Sequence, residues 1–454
     1  MSIQNKPPID SRILDFRFPK VKEHRLANGL KIMVVERHRL PKVDIRLGFD
    51  FGIKNDPEGQ EGLCQLLAAT LKKGTAKRDY ATIAENIDYV GGALDALVSE
   101  DFFFVAGEFL KEHLEVGLDL FSEILFEPLF AEAEVEKERQ KLIADLENEN
   151  SSPQYLAHRR MGKALFDGHP YGRFKTVESL KNITRDDLIA FHRKYFAPAE
   201  TVLVFAGDIT EREARENCEK YFSGWHSPRP PLAAFNLPES RLSRRVYLVD
   251  RPGSEQINIV LGQLLFPRRH PDFEKMVVMN KILGGGGSGR LFLYLREEKG
   301  FTYGAYSTMQ NFKESGSWLA HAEVRPEVTR EALEGFFFQF RRMKEELVSA
   351  EDLHNTRRYL IGSFPLKNET PSSVASLVLK QELYQLPPGY WDTYLDTIAG
   401  VTEIDIQEMA RKYIHEDQMV LVLVGEARDL MKQVEGYGEV EIYDIKDHRL
   451  KQAK

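Results

Sequence analysis

Arg296 and Tyr303 are the residues whose types and spacing suit chemistry most directly. They lie in the segment Arg290-Leu291-Phe292-Leu293-Tyr294-Leu295-Arg296-Glu297-Glu298-Lys299-Gly300-Phe301-Thr302-Tyr303-Gly304, behind the run Gly284-Gly285-Gly286-Gly287-Ser288-Gly289. Hydrolysis of an acyl group gathers negative charge on the carbonyl oxygen. A guanidinium and a phenol can meet that charge with preorganised hydrogen bonds, and losing one such donor costs ~3 kcal/mol of transition-state stabilisation. The pattern puts Arg296 near a helix end, Gly300 in a turn and Tyr303 on the following strand. By themselves an Arg and a Tyr read as surface and half-buried packing residues. The glycine run is not a phosphate loop, because Lys and Ser/Thr do not follow in that spacing.

A second segment reads as an amphipathic helix with a clean stop. After Asp56-Pro57-Glu58-Gly59, the stretch Gly62 to Thr70 places Leu63, Leu66, Leu67 and Leu71 on one helical stripe and stops at Lys72-Lys73-Gly74. Its other face offers Gln65 and the small residues Ala68 and Ala69, and the two alanines read as packing positions. Glu138 and Asp145 sit on a later, heavily charged helix, where a carboxylate is ordinarily solvated surface. No two of the 12 histidines lie closer than eleven residues, so local metal-binding spacing is absent.

The elements that must position these residues repeat. Ile183-Thr184 opens a helical pattern closed by Arg193-Lys194-Tyr195 and followed by the strand Thr201 to Gly207. Val401-Thr402, Arg411-Lys412-Tyr413 and Met419 to Gly425 do the same 218 residues later. A common register across helix, loop and strand argues for duplication of a whole domain, since the period is far too long for a solenoid. Lys31 to Val35, Val43 to Leu47, Phe102 to Val105 and Ile257 to Leu261 read as strands, with long charged helices between them. Prolines at 228, 230, 231 and 238 forbid helix and discourage central strand, which marks the linker. The expected architecture is α+β: two homologous domains, each a mixed or antiparallel sheet packed with helices. Residues 1–20 form a tail, 21–226 the first domain, 227–240 the linker, 241–446 the second domain and 447–454 a tail.

Composition agrees with two globular cores. The chain has 454 residues, more than one core usually supports, and is 42% hydrophobic and 29% charged. Its formal charge of −8 supplies no positive field for nucleic acid or anionic lipid. Cys64 and Cys218 are too few for a disulfide scaffold and read as free thiols. No run of about 18 apolar residues suggests a membrane span, and the N-terminus shows no apolar leader, so a cytoplasmic location is expected.

The segment Gly62-Leu63-Cys64-Gln65-Leu66-Leu67-Ala68-Ala69-Thr70-Leu71-Lys72-Lys73-Gly74-Thr75 resembles the metal-binding helix of the insulinase and processing-peptidase family, the inverted zincins. The Arg290 to Gly304 segment resembles the same family's second signature. Likeness extends over nearly the whole chain through His24 to Leu30, Gly168-His169-Pro170-Tyr171-Gly172 and Asp250 to Gln256, which read as fold markers; His169 is expected to be structural. Members that hydrolyse peptides carry H-x-x-E-H, two zinc ligands and a general base. At the matching positions this chain has Gln65, Ala68 and Ala69. The third ligand's position is held by Asp145, and Glu138 keeps the family's second acidic position.

The resemblance therefore implies a chain that binds no zinc and no other cofactor. It implies equally that Arg296 and Tyr303 reach from the second domain towards a substrate carbonyl. In two-chain members one subunit keeps the metal helix and the other the Arg/Tyr pair. The expectation is a zinc-free subunit of a heterodimer or heterotetramer, with zinc on a family paralogue and an extended peptide as substrate. The same fold also serves non-proteolytic assembly, as in respiratory-complex core subunits, and a metal-independent peptide-binding chaperone is a third reading.

Overall fold

The computed structural model describes residues 17–228, 235–239 and 243–450. Among the described residues thirteen strands form two mixed sheets. The first contains β1 (Lys22–Arg25), β2 (Lys31–Glu36), β3 (Lys42–Phe49), β4 (Ala93–Val98), β5 (Phe103–Leu110) and β6 (Thr201–Gly207), in the order β1-β2-β6-β3-β5-β4. The second contains β7 (Arg245–Asp250), β8 (Ile257–Leu265), β9 (Thr302–Asn311), β10 (Gly316–Val324), β11 (Val420–Gly425), β12 (Glu439–Tyr443) and β13 (Arg449–Leu450). Its order is β13-β12-β7-β11-β8-β10-β9. β6 and β11 hold the same place, each parallel to one neighbour and antiparallel to the other.

The 218-residue register extends further than the sequence alone displays. The helices Glu132–Glu149, Pro153–Leu165 and Arg185–Tyr195 recur as Ala350–Lys367, Pro371–Leu383 and Glu403–Tyr413. Even the caps recur: Thr184 and Asp187 form a reciprocal capping box at one helix start, and Thr402 and Asp405 form its copy. The second sheet runs on to Arg449–Leu450, past residue 446, because β13 pairs with β12. Most of the expected linker lies outside the described residues; 235–239 carry no helix or strand.

Helices exchanged between the halves lock them together. Pro153–Leu165, which follows the first sheet's helices in sequence, buries Leu156, Met161 and Leu165 against Val249, Val260, Leu319, Val422 and Val424 of the second sheet. Pro371–Leu383 does the reverse, packing Val374, Val378, Leu379 and Leu383 on Met33, Val35, Val202 and Val204. Both central strands are thus covered on two faces, which is why β6 and β11 read as unbroken apolar runs. Glycine makes the close approach possible: a Cβ on Gly48 would lie 2.8 Å from Leu379 Cδ1, and one on Gly262 2.8 Å from Met161 Sδ. Burying side chains of this size stabilises the junction by about 1.5–3 kcal/mol each. The two halves form a single block.

Candidate functional site

The helix Leu63–Thr70 is fixed at its start by Asp56, whose carboxylate accepts the N–H groups of Gly62 at 2.8 Å and Cys64 at 2.9 Å. Burial pushes the Asp56 carboxyl up to about 6, against those hydrogen bonds. Leu63, Leu66, Leu67 and Leu71 enter the first core. That orientation leaves Gln65 and Ala69 half-buried on another face, with Ala68 buried beside them. Gln65 lines a cavity of about 320 Å³ between the two halves, whose wall includes Tyr155, His158 and Arg173 from one side and Gln310 and Phe312 from the other.

Glu138 lies on Glu132–Glu149, buried, with its carboxylate 2.9 Å from the Lys73 ammonium. Lys73 also sits 4.0 Å from the centre of the Tyr80 ring. Asp145, two turns along the same helix, is exposed. The donors that the family resemblance assigns to zinc are therefore a neutral amide, an exposed carboxylate and a carboxylate engaged by a lysine, with alanines at the positions it assigns to the second imidazole and the general base. That set does not fit a catalytic zinc, which takes three protein ligands and a water. Among the described residues no three His, Cys, Asp or Glu side chains are grouped to hold a metal ion.

Arg296 and Tyr303 are both exposed. Arg296 lies in a π-helical turn, Leu293–Glu298, which continues the short helix Arg290–Phe292. Its guanidinium stacks 4.7 Å from the Phe292 ring centre and pairs with the neighbouring Glu297 at 3.5 Å. Gly300, at φ +63°, turns the chain into β9. Tyr303 is 86% exposed there, on the edge strand of the second sheet. The two elements are joined through Phe292, whose ring packs 5.8 Å from Tyr306 of β9.

The exposure of Tyr303 has a backbone cause. In the β9–β10 ladder Val324 pairs with Thr302 and Ala322 with Ala305, so Tyr303 and Gly304 together oppose Glu323. This is a β-bulge, a device that re-aims a side chain at a sheet edge. Tyr303 lines a groove of about 750 Å³ with Arg325, Asn258, Glu323 and the helix start Ser152-Pro153-Gln154. Gln154 donates to Glu323, which ties the exchanged helix to the bulged ladder. Neither Glu323 nor Arg325 stands out in the sequence, since a bulge is a property of pairing and leaves no composition signal.

His169 is buried, and its Nδ1 accepts the Tyr171 N–H at 3.1 Å. Burial holds its imidazole down at about 4. Beside it, Asp101 receives the Lys54 ammonium at 2.8 Å, the Tyr171 hydroxyl and the backbone N–H of Lys313 at 2.7 Å. Lys313 lies in the β9–β10 turn, so this buried carboxylate fastens the second sheet to the first half. Cys64 and Cys218 are buried free thiols.

Two family models match the chain: insulinase (peptidase family M16) over residues 31–175 and the peptidase M16 inactive domain over residues 182–360. The chain belongs to peptidase family M16. It is 24% identical over 405 residues to the uncharacterized zinc protease YmxG of Bacillus subtilis, covering 89% of this chain and 98% of that one. A Helicobacter pylori protein named non-peptidase homolog YmxG is 24% identical, with 88% and 93% covered. A crystal structure of a peptidase M16 inactive domain from Pseudomonas fluorescens superposes with a TM-score of 0.83 at 26% identity, over 89% of this chain and 98% of that chain. A Helicobacter pylori protease has the same fold, with a TM-score of 0.83 at 21% identity over 90% and 100% of the two chains. Among the described residues no helix is long and apolar enough to cross a membrane.

Proposed function

We propose that this chain is the zinc-free subunit of a heteromeric M16 peptidase, which binds an extended peptide and supplies Arg296 and Tyr303 to an active site completed by a zinc-bearing paralogue. The observation that carries the reading is the contrast between the two signatures. Where the resemblance places the metal site, the chain has Gln65, Ala68 and Ala69 and a Glu138 paired with Lys73, whereas Tyr303 stands 86% exposed on a bulged edge strand. A large aromatic side chain so presented gains nothing from the fold of its own chain. In the shared site the Arg296 guanidinium and the Tyr303 phenol donate to the scissile carbonyl oxygen as it gains charge. The partner supplies zinc, its activated water and the general base. The free edge of β9 offers main-chain pairing to the peptide, which holds it extended.

A second reading is favoured by the relative named a non-peptidase homolog and the neighbour described as an inactive domain: the chain is a scaffold or peptide-binding chaperone. Fluorescence anisotropy with a labelled, unstructured peptide separates the two. The subunit reading expects tight peptide binding only when the H-x-x-E-H paralogue encoded in the same genome is present and co-elutes with this chain. Equal binding by this chain alone favours the chaperone. A stable self-dimer that ignores the paralogue favours the scaffold.

A further inference from the structure

Gly300 is bonded on both sides. Its N–H donates to the Arg296 carbonyl at 3.0 Å, and its own carbonyl accepts from Arg325 Nη1 at 3.1 Å. Arg325 directly follows Val324, which pairs with Thr302 at the start of β9. One side chain thus closes the turn that runs from Arg296 to Tyr303. The bulge has a second clamp: the Thr302 hydroxyl donates to the Gly304 carbonyl at 2.9 Å and accepts the Gly304 N–H at 3.1 Å. These bonds stand in for regular ladder pairing where two residues of β9 face one of β10. Tyr303, between Thr302 and Gly304, has no packing of its own to hold it, so its direction is set by the backbone on either side.

We infer that Arg325 and the Thr302 hydroxyl are positioning groups for Tyr303, fixing the turn and the bulge that aim its phenol at the peptide carbonyl. This rests on the proposed shared peptidase site. Arg325 is exposed, and Thr302 is only half-buried, so neither is needed to fill a core. Arg325 also borders the groove next to Tyr303, and a direct contact to peptide is the competing role.

The test places 3-fluorotyrosine at position 303 of the full chain and reads its ¹⁹F resonance, alongside peptide cleavage with the zinc-bearing paralogue. A single resonance is expected in the unmodified background. It should broaden or split in Arg325→Ala and in Thr302→Val and stay single in Thr302→Ser, which keeps the hydroxyl. In the mixture, Arg325→Ala and Thr302→Val should each lower kcat by about 10- to 100-fold, as misplacement of a catalytic group does, with KM little changed. Arg325→Lys should recover part of the loss, and the melting temperature should not move. An unchanged resonance in Arg325→Ala overturns the positioning role, whatever the activity. A raised KM with kcat preserved overturns it in favour of a substrate contact. Because the resonance is read on this chain alone, a mixture that cleaves nothing counts against the shared site and leaves the effect on Tyr303 measured.

Discussion

The carboxylate of Glu138 lies 2.9 Å from the ammonium of Lys73, and the two side chains are only 9% and 13% exposed. An acidic position that the family resemblance associates with the metal site here joins the helix Glu132–Glu149 to the end of Leu63–Thr70. Burial opposes the charge on Lys73, but the hydrogen bond and charge of Glu138, with a contribution from Tyr80, raise the lysine above its ordinary range. That contribution is therefore fully present at neutral pH and is lost only as pH rises through the raised lysine value. Glu138→Gln, which strands the ammonium, should destabilise the chain by about 2–4 kcal/mol in urea unfolding, and Glu138→Gln with Lys73→Met should recover much of the loss. A cost below about 0.5 kcal/mol, typical of surface positions, would contradict a structural role for the pair.

Two buried groups should act on stability in opposite directions over nearly the same pH window. Asp56 is raised to about 6 by burial, so its contribution is full below its unfolded value of about 4 and falls as pH rises through 6. Relative to the unmodified chain, Asp56→Asn should therefore gain about 3 kcal/mol between pH 4 and pH 7. His169 is held down at about 4, so its contribution is full above about 6.5 and is lost as pH falls through 4. His169→Gln should blunt the loss of melting temperature between pH 6.5 and 4. Parallel pH profiles for variant and unmodified chain would refute either assignment.

Asp101 is a buried polar fastening between the halves. Asp101→Ala removes the partner of the buried Lys54 ammonium and one of the bonds that hold the Lys313 turn, at a cost of about 3–5 kcal/mol. Hydrogen exchange should rise at residues 311–316 as well as around Lys54. Exchange confined to the first half would show that the turn is held by something else.

A zinc site should be installable at the positions the family resemblance assigns to it, because the helix Leu63–Thr70 that carries three of them is well formed. Gln65→His, Ala68→Glu, Ala69→His and Asp145→Glu together restore H-x-x-E-H and a longer third carboxylate. Metal analysis after dialysis should find about one zinc per chain in this variant, the ratio of a complete catalytic ligand set, and none in the unmodified protein. Stoichiometric zinc retained by the unmodified chain would overturn the account of Gln65, Ala68 and Ala69.

Much of this architecture was legible because the relevant signals are local. Thr184 and Thr402 announce matching helix starts, and the unbroken apolar runs at Thr201–Gly207 and Val420–Gly425 announce central strands. The α+β class follows from such features, whereas the family showed itself through the resemblance of the Gly62 to Thr75 and Arg290 to Gly304 segments. The helix exchange was not legible, since Pro153–Leu165 has the same amphipathic pattern whichever sheet it covers. Its only trace is a pair of glycines, Gly48 and Gly262, inside strands where a side chain would be expected. Lys73 as the partner of Glu138 and Arg325 as the partner of Gly300 depend on contacts 65 and 25 residues apart in sequence. The bulge at Tyr303 depends on pairing register, which sequence periodicity across two residues cannot display.

The most direct measurement is peptide cleavage by this chain, by the H-x-x-E-H paralogue and by their mixture, with Arg296→Ala and Tyr303→Phe in this chain. The account predicts activity in the mixture alone, abolished by chelation, and reduced on the order of 100-fold by either substitution, as expected for losing one donor to the developing oxyanion. A mixture that forms a complex yet cleaves as well with both substitutions, or not at all, would contradict it.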